Sequence, residues 1–164
     1  MSQVKLDSSL LSRVSTKTVV ITGGANGIGA ATAALFNRHG ANVVISDIVS
    51  SKSIAETLIG TFEHPGNAAF IAADVLDWGQ MTALFKEAVR RFGSVDMVIA
   101  NAGIMESKPV LDLEDVDEEG ELRESTEGFR VVDVNLKGTF NSMCLYMPPH
   151  LNSVLSLYVN EKNY

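Results

Sequence analysis

The chain has 164 residues, 46% of them hydrophobic and 20% charged, with a formal net charge of −7 at pH 7. That length suits one domain with a buried core, and no apolar run approaches the ~18 residues of a membrane span, nor does the start carry a charged-then-apolar leader, so a cytoplasmic protein is expected. The single Cys144 excludes an internal disulfide, and His39, His64 and His150 lack ligand spacing, so no metal site is expected.

Residues 1–16 are polar and aperiodic, a loose lead-in. The β-branched run Thr18-Val19-Val20-Ile21 reads as a buried parallel strand, about 17–22. It runs into Thr22-Gly23-Gly24-Ala25-Asn26-Gly27-Ile28-Gly29, and the helix formers of about 27–39 follow, with Gly40 placed to end them. A strand, a glycine-rich turn and a helix make an anion site. The glycines let the backbone approach a pyrophosphate, and the free N–H groups at the helix start face its charge. No Gly-Lys-Ser/Thr follows, which excludes a Walker-type loop.

A second strand over 41–47 ends in Asp47, at the spacing expected of an acid that accepts hydrogen bonds from an adenosine ribose diol. Its charge opposes a 2′-phosphate. No Arg or Lys occupies 24–26 and Ile48 follows Asp47, so NAD is expected over NADP. The competing role for Asp47 is to cap a helix near 50–60. A third strand, 68–73, ends at Asp74, placed for an adenine edge or for a simple turn. Asp77 can cap a helix whose apolar positions Met81, Leu84, Phe85, Ala88 and Phe92 have helical spacing, and Gly93 closes it. A fourth strand, 95–100, runs into Asn101-Ala102-Gly103, small residues suited to a cofactor's flank or to a plain turn.

Strands alternating with helices imply right-handed parallel crossovers with helices on both faces. Ligands of such sheets sit beyond the carboxyl ends of the strands, where Gly23–Gly29, Asp47, Asp74 and Asn101–Gly103 all fall. Further on, nine acidic residues and one Arg between Asp112 and Glu127 contribute −8, leaving +1 elsewhere. The run reads as a solvated loop and helix start, and no basic face is left for nucleic acid.

Thr22-Gly23-x-x-x-Gly27-x-Gly29, Asp47, Asp74-Val75, Asn101-Ala102-Gly103 and Val134-Asn135-Leu136-Lys137-Gly138, in that order over about 17–141, resemble the classical short-chain dehydrogenase/reductase family. The resemblance implies an α/β fold, the N-terminal part of a Rossmann-type doubly wound parallel sheet with about four strands, over a nucleotide-binding region of 17–141. It implies a nicotinamide cofactor, NAD or NADP, and hydride transfer to or from a secondary alcohol or ketone. The implied cofactor residues are Gly23, Asn26, Gly27, Ile28, Gly29, Asp47, Ile48, Asp74, Val75, Asn101, Ala102 and Gly103. Asn135 matches the family's helix asparagine, which bends that helix and holds a water in the proton relay. The helix over 128–141 would present Phe129, Val132, Leu136 and Phe140 to a partner subunit, or leave them exposed.

The family's chemistry also uses a Ser on a fifth strand and a Tyr-x-x-x-Lys pair, the Tyr as general acid/base and the Lys to lower its pKa. Tyr158-Val159-Asn160-Glu161-Lys162 matches that pattern. Only 23 positions separate Asn135 from Tyr158, too few for a long helix, a strand and two loops, and Pro148-Pro149 falls where the helix should continue. The match is a functional pair or a chance one, and the spacing favours chance. Residues 142–164 contain no Gly and no Ala, unlike the body, and form an atypical tail. Ser142-Met143-Cys144 is encodable as AGT ATG TGT, which contains the splice-donor sequence GTATGT, so translated intron or a shifted frame is expected there. Sequencing the transcript across codon 142 tests this. The expected family activity is therefore an oxidoreductase; the alternative is a non-catalytic dinucleotide-binding fragment lacking the Ser and Tyr-x-x-x-Lys part.

Overall fold

Four short β-branched or alanine-rich strands, each fed into a helix, pair side by side in a parallel sheet. The computed structural model describes residues 11–110 and 112–146. Pro148-Pro149, His150, Tyr158 and Lys162 lie outside the described residues. The strands are β1 (Thr18–Thr22), β2 (Asn42–Asp47), β3 (Ala68–Ala72) and β4 (Met97–Ala100), in the order β3-β2-β1-β4. In register, Val20 lies between Val44 and Val98, and Ile21 between Ile45 and Ile99. The chain moves outward from β1 to β3 and then returns to the other side of β1. That reversal opens a crevice between β1 and β4 at their carboxyl ends.

The helices are α1 (Gly27–Arg38), α2 (Lys52–Gly60), α3 (Trp78–Phe92), α4 (Thr126–Val132) and α5 (Gly138–Tyr146), the last two joined by a π-helical turn, Asp133–Lys137. One sheet face packs Val19, Ile21, Val43 and Ile45 against Ala33 of α1 and Ala55 of α2. The other packs Val20 and Val44 against Met81, Leu84, Phe85 and Ala88 of α3, the stripe that helical spacing indicated. Both central strands are fully buried across Val19–Ile21 and Val43–Ile45. By contrast, all four residues of β4 are half-buried, because one edge of that strand has no partner among the described residues.

Local bonds set the boundaries. Asp77 Oδ1 accepts the Gln80 N–H at 2.9 Å and starts α3, which holds the Asp77 carboxyl below its ordinary range. Gly93, at φ +84°, ends that helix. Strand β4 starts at Met97 rather than Val95. Asp96 just before it turns its carboxylate to the Thr18 N–H (2.9 Å) and the Lys17 ammonium (3.0 Å), fastening the start of β1. Those two donors and Ser94 hold Asp96 below the usual carboxylate range.

Three findings differ from expectation. The lead-in is ordered from a short 3₁₀ turn, Ser12–Val14, whose Val14 packs on the core. The acidic segment folds back on itself through one antiparallel bridge, Val116 to Leu122, with Arg123 Nε donating to the Val116 carbonyl at 3.0 Å. And α5 continues to Tyr146, past residue 142 where the composition changes. Its Ser142 is buried, Leu145 and Tyr146 pack on the α3 side of the sheet, and the Tyr146 hydroxyl donates to the Asp96 carbonyl.

Candidate functional site

At the carboxyl edge of the sheet lies a cleft of about 710 Å³. Its walls bring together Gly23, Asn26, Gly27 and Ile28 of the β1–α1 turn, Asp47 and Ile48 after β2, Asp74 and Val75 after β3, and Asn101–Gly103 after β4. Each stands there because its strand ends there. Four residues that no local pattern indicated, Ala73, Leu76, Ile104 and Arg130, complete the lining together with Val134 of the Val134–Gly138 motif. Ala73 and Leu76 adjoin indicated positions; Arg130 comes from a helix more than 80 residues beyond Asp47.

The glycine turn is shaped by two different needs. Gly23 sits at φ +63°, and a Cβ there would stand 2.8 Å from the Ala102 Cα. A Cβ on Gly29 would stand 2.3 Å from the Gly23 carbonyl oxygen and 2.6 Å from Asn101 Nδ2. Gly29 is buried beneath the cleft rather than on its wall, and its missing side chain lets α1 close onto the turn. At Gly27, by contrast, φ is +55° and nothing lies within 4 Å of where a Cβ would be. Gly27 is also one of the residues that line the cleft.

Asn26 caps α1 by accepting the Gly27 N–H at 2.8 Å. The next two amides, of Ile28 and Gly29, have no hydrogen-bond partner among the described residues. The Ile28 side chain is 80% exposed at this mouth. A helix start with open N–H groups, bare backbone at Gly27 and an uncovered isoleucine is a surface that fits a phosphate followed by an apolar ring.

Asp47 is tied on both oxygens. Oδ2 accepts the Ala25 N–H at 3.2 Å, and Oδ1 accepts the Ile48 N–H at 2.9 Å and the Ser51 hydroxyl at 3.1 Å. One oxygen therefore braces the turn before α2 while the other reaches the glycine turn. Asp74 Oδ1 accepts the Leu76 N–H at 2.9 Å, and Gln80 Oε1 accepts the Asp74 N–H. Asn101 Nδ2 donates to the carbonyls of Thr22 (3.1 Å) and Gly23 (3.0 Å), and the Ala102 N–H donates to Thr22 Oγ1 at 3.2 Å. The Asn101 side chain thus clamps β4 to β1 beneath the cleft floor.

The far wall is strapped to the interrupted helix at three successive points. Asn135, inside the π turn, bonds both backbone groups of Ile104: its Oδ1 accepts the N–H at 2.8 Å and its Nδ2 donates to the carbonyl at 3.0 Å. Asn135 itself is not on the cleft lining. Arg130 Nη2 reaches the Met105 carbonyl at 3.4 Å. Glu127 accepts the Ser107 N–H at 2.5 Å and pairs through both oxygens with Arg130. Although part of the acidic run, Glu127 is only 7% exposed, a departure from the solvated run expected. Arg130, with the Ser107 N–H, pulls its carboxyl down to about 2.

A sequence model described as short chain dehydrogenase matches residues 17–153. The chain belongs to the short-chain dehydrogenase family. Among curated relatives of this family, it is 40% identical over 139 residues to short-chain dehydrogenase/reductase prx4 of Penicillium roqueforti, covering 85% of this chain and 38% of that one. It is 39% identical over 133 residues to (+)-borneol dehydrogenase 1 of Salvia officinalis, covering 81% of this chain and 46% of the relative. A solved short-chain dehydrogenase/reductase from Brucella melitensis, a glucose/ribitol dehydrogenase by title, superposes with a TM-score of 0.68 at 28% identity, over 82% of this chain and 50% of that one. This short-chain dehydrogenase chain therefore spans about two fifths to half the length of these relatives. Among its described residues, no helix is long and apolar enough to cross a membrane.

Proposed function

We propose that this chain holds the dinucleotide of an NAD-linked oxidoreductase that moves hydride between the nicotinamide and a secondary alcohol or ketone. The observation that carries this reading is the convergence of the glycine turn, Asp47, Asp74 and Asn101–Gly103 on one cleft. The open amides of Ile28 and Gly29 bind the pyrophosphate, aided by the positive end of α1. Asp47 accepts from the adenosine ribose and repels a 2′-phosphate, which favours NAD. Oδ2 of Asp74, unbonded among the described residues, meets the adenine edge, and Gly103, whose missing side chain lets the Asn135 amide come close, lines the nicotinamide end. When bound, the nicotinamide supplies the hydride acceptor or donor.

A carbonyl–alcohol interconversion also needs a proton donor. The ionisable side chains on the cleft are Asp47, Asp74 and Arg130 among the described residues. None has the place and character of the family's tyrosine, so that role falls outside them. Asn135 lies in the π turn and fixes Ile104 on the cleft wall, which supports its assignment to the proton-relay end of the site. Support for a secondary alcohol comes from the family and from the relative named for borneol.

A thermal melt of the purified chain with and without millimolar NAD or NADP tests the cofactor reading. A ligand that binds only the folded form raises the midpoint by mass action. A larger rise with NAD than with NADP is expected; no rise with either overturns the reading.

A further inference from the structure

Ser51 stands where the turn Val49–Ser51 passes into α2, at the first position before the α-helix, and its side chain makes no capping bond there. A serine in that place ordinarily gives its oxygen to a free amide of the first turn. Here the hydroxyl turns back and donates to Asp47 Oδ1. A carboxylate offers about four lone-pair positions. Oδ1 already carries two donors, Ser51 and the Ile48 N–H, whereas Oδ2 carries one, the Ala25 N–H. The remaining acceptor position is thus on Oδ2, the oxygen bonded to the glycine turn. Asp47 lines the cleft and Ser51 does not, so Ser51 reaches the cleft only through Asp47.

We propose that Ser51 is a positioning residue for cofactor selection, holding Oδ1 of Asp47 so that Oδ2 meets the adenosine ribose of NAD in a fixed orientation. The inference rests on the NAD reading above. Without the hydroxyl, the carboxylate rotates more freely, a ribose hydroxyl meets a less ordered acceptor, and a 2′-phosphate meets a less fixed negative charge.

Titration calorimetry of the full 164-residue chain with NAD and with NADP tests it, using wild type, Ser51→Ala, Ser51→Thr and Asp47→Ala. Ser51→Ala is expected to weaken NAD about three- to tenfold, the range of one ordinary hydrogen bond, because the hydroxyl acts only through Asp47, while leaving NADP binding no weaker. Ser51→Thr, which keeps the hydroxyl, is expected to restore the wild-type ratio. An unchanged NAD-to-NADP ratio in Ser51→Ala overturns the proposal, and so does an equal loss of both cofactors, which would mark a merely structural role. NAD affinity that survives Asp47→Ala intact, or a wild-type chain that binds no NAD, instead overturns the cofactor reading and the proposal with it.

Discussion

Two glycines only two positions apart, Gly27 and Gly29, are glycine for opposite reasons, and substitution separates them. At Gly29 an alanine Cβ would meet backbone and a clamped amide, neither of which can yield, at 2.3 Å and 2.6 Å. Overpacking of that kind costs about 1–3 kcal/mol, and here the upper end is expected because the clashing atom is a carbonyl oxygen. Gly29→Ala is therefore expected to lower the melting temperature of the free chain. At Gly27 there is space, but the backbone is left-handed at φ +55°, which costs an L-residue roughly 1–2 kcal/mol. More tellingly, the added methyl would stand on a residue that lines the cleft. Gly27→Ala is expected to fold and to lose most of the NAD-induced rise in midpoint. Paired melts with and without NAD check both; a full NAD response in Gly27→Ala would remove the turn from the binding site.

Among the elements, the interrupted helix braces the far wall of the cleft, and two of its straps, at Met105 and Ser107, involve one ion pair. Glu127, beneath Arg130, has its carboxyl pulled from 4.5 to about 2. A carboxyl whose folded value lies below its unfolded value stabilises the fold fully above the unfolded value and loses that contribution as pH falls toward the folded one. Glu127→Gln is thus expected to melt below wild type at pH 7, with the gap narrowing under about pH 4.5 and closing near pH 2. Melting temperatures of both chains from pH 7 down to pH 3 check this, and a gap that stays constant would assign Glu127 no ionic role. Glu87 is also pulled to about 2, by Arg90 and Arg91, but its own side chain is 28% exposed against 8% for Glu127. Solvent screening leaves that cluster little to contribute.

Element by element, what could be read from sequence was what is local. The β-branched runs, the Asp77 cap, the Gly93 stop and the stripe of α3 all act within one turn or one strand, and they appear in the structure where spacing indicated. The same holds for the placing of Gly23, Asp47, Asp74 and Asn101 at strand ends, since parallel topology alone sends those ends to one edge. What could not be read depends on distant partners. Arg130 reaches the cleft from a short helix whose continuation, α5, packs on β4 and α3. Asn135 is fastened to a loop 31 positions earlier. Asn37, fully buried in α1, bonds both backbone groups of His64 across 27 positions. Nothing in the neighbouring residues of any of these signals the partner. Ser51 illustrates the same point more finely: its position marks a helix start, but its hydroxyl turns away from that duty to Asp47.

On the scale of the whole molecule, two surfaces stand uncovered among the described residues. Phe129, Val132, Leu136, Phe140 and Met143 are each more than half exposed along the interrupted helix. Strand β4 is half-exposed with one edge unpaired among the described residues. Both favour self-association, by different routes. An apolar stripe drives it through area removed from water, whereas an open strand edge does so through backbone hydrogen bonds. The stripe should dominate, because its aromatic rings are more than half exposed among the described residues, while β4 is only four residues long. The chain is therefore expected to associate with rising concentration, and Phe129→Asp with Phe140→Asp to shift it toward monomer without lowering its melting temperature, since neither ring is packed in the core. Sedimentation velocity over a concentration series distinguishes the routes. Association that survives the double substitution would place the contact on the β4 edge instead, and a wild-type chain that stays monomeric throughout would mean that neither surface is sticky enough to matter.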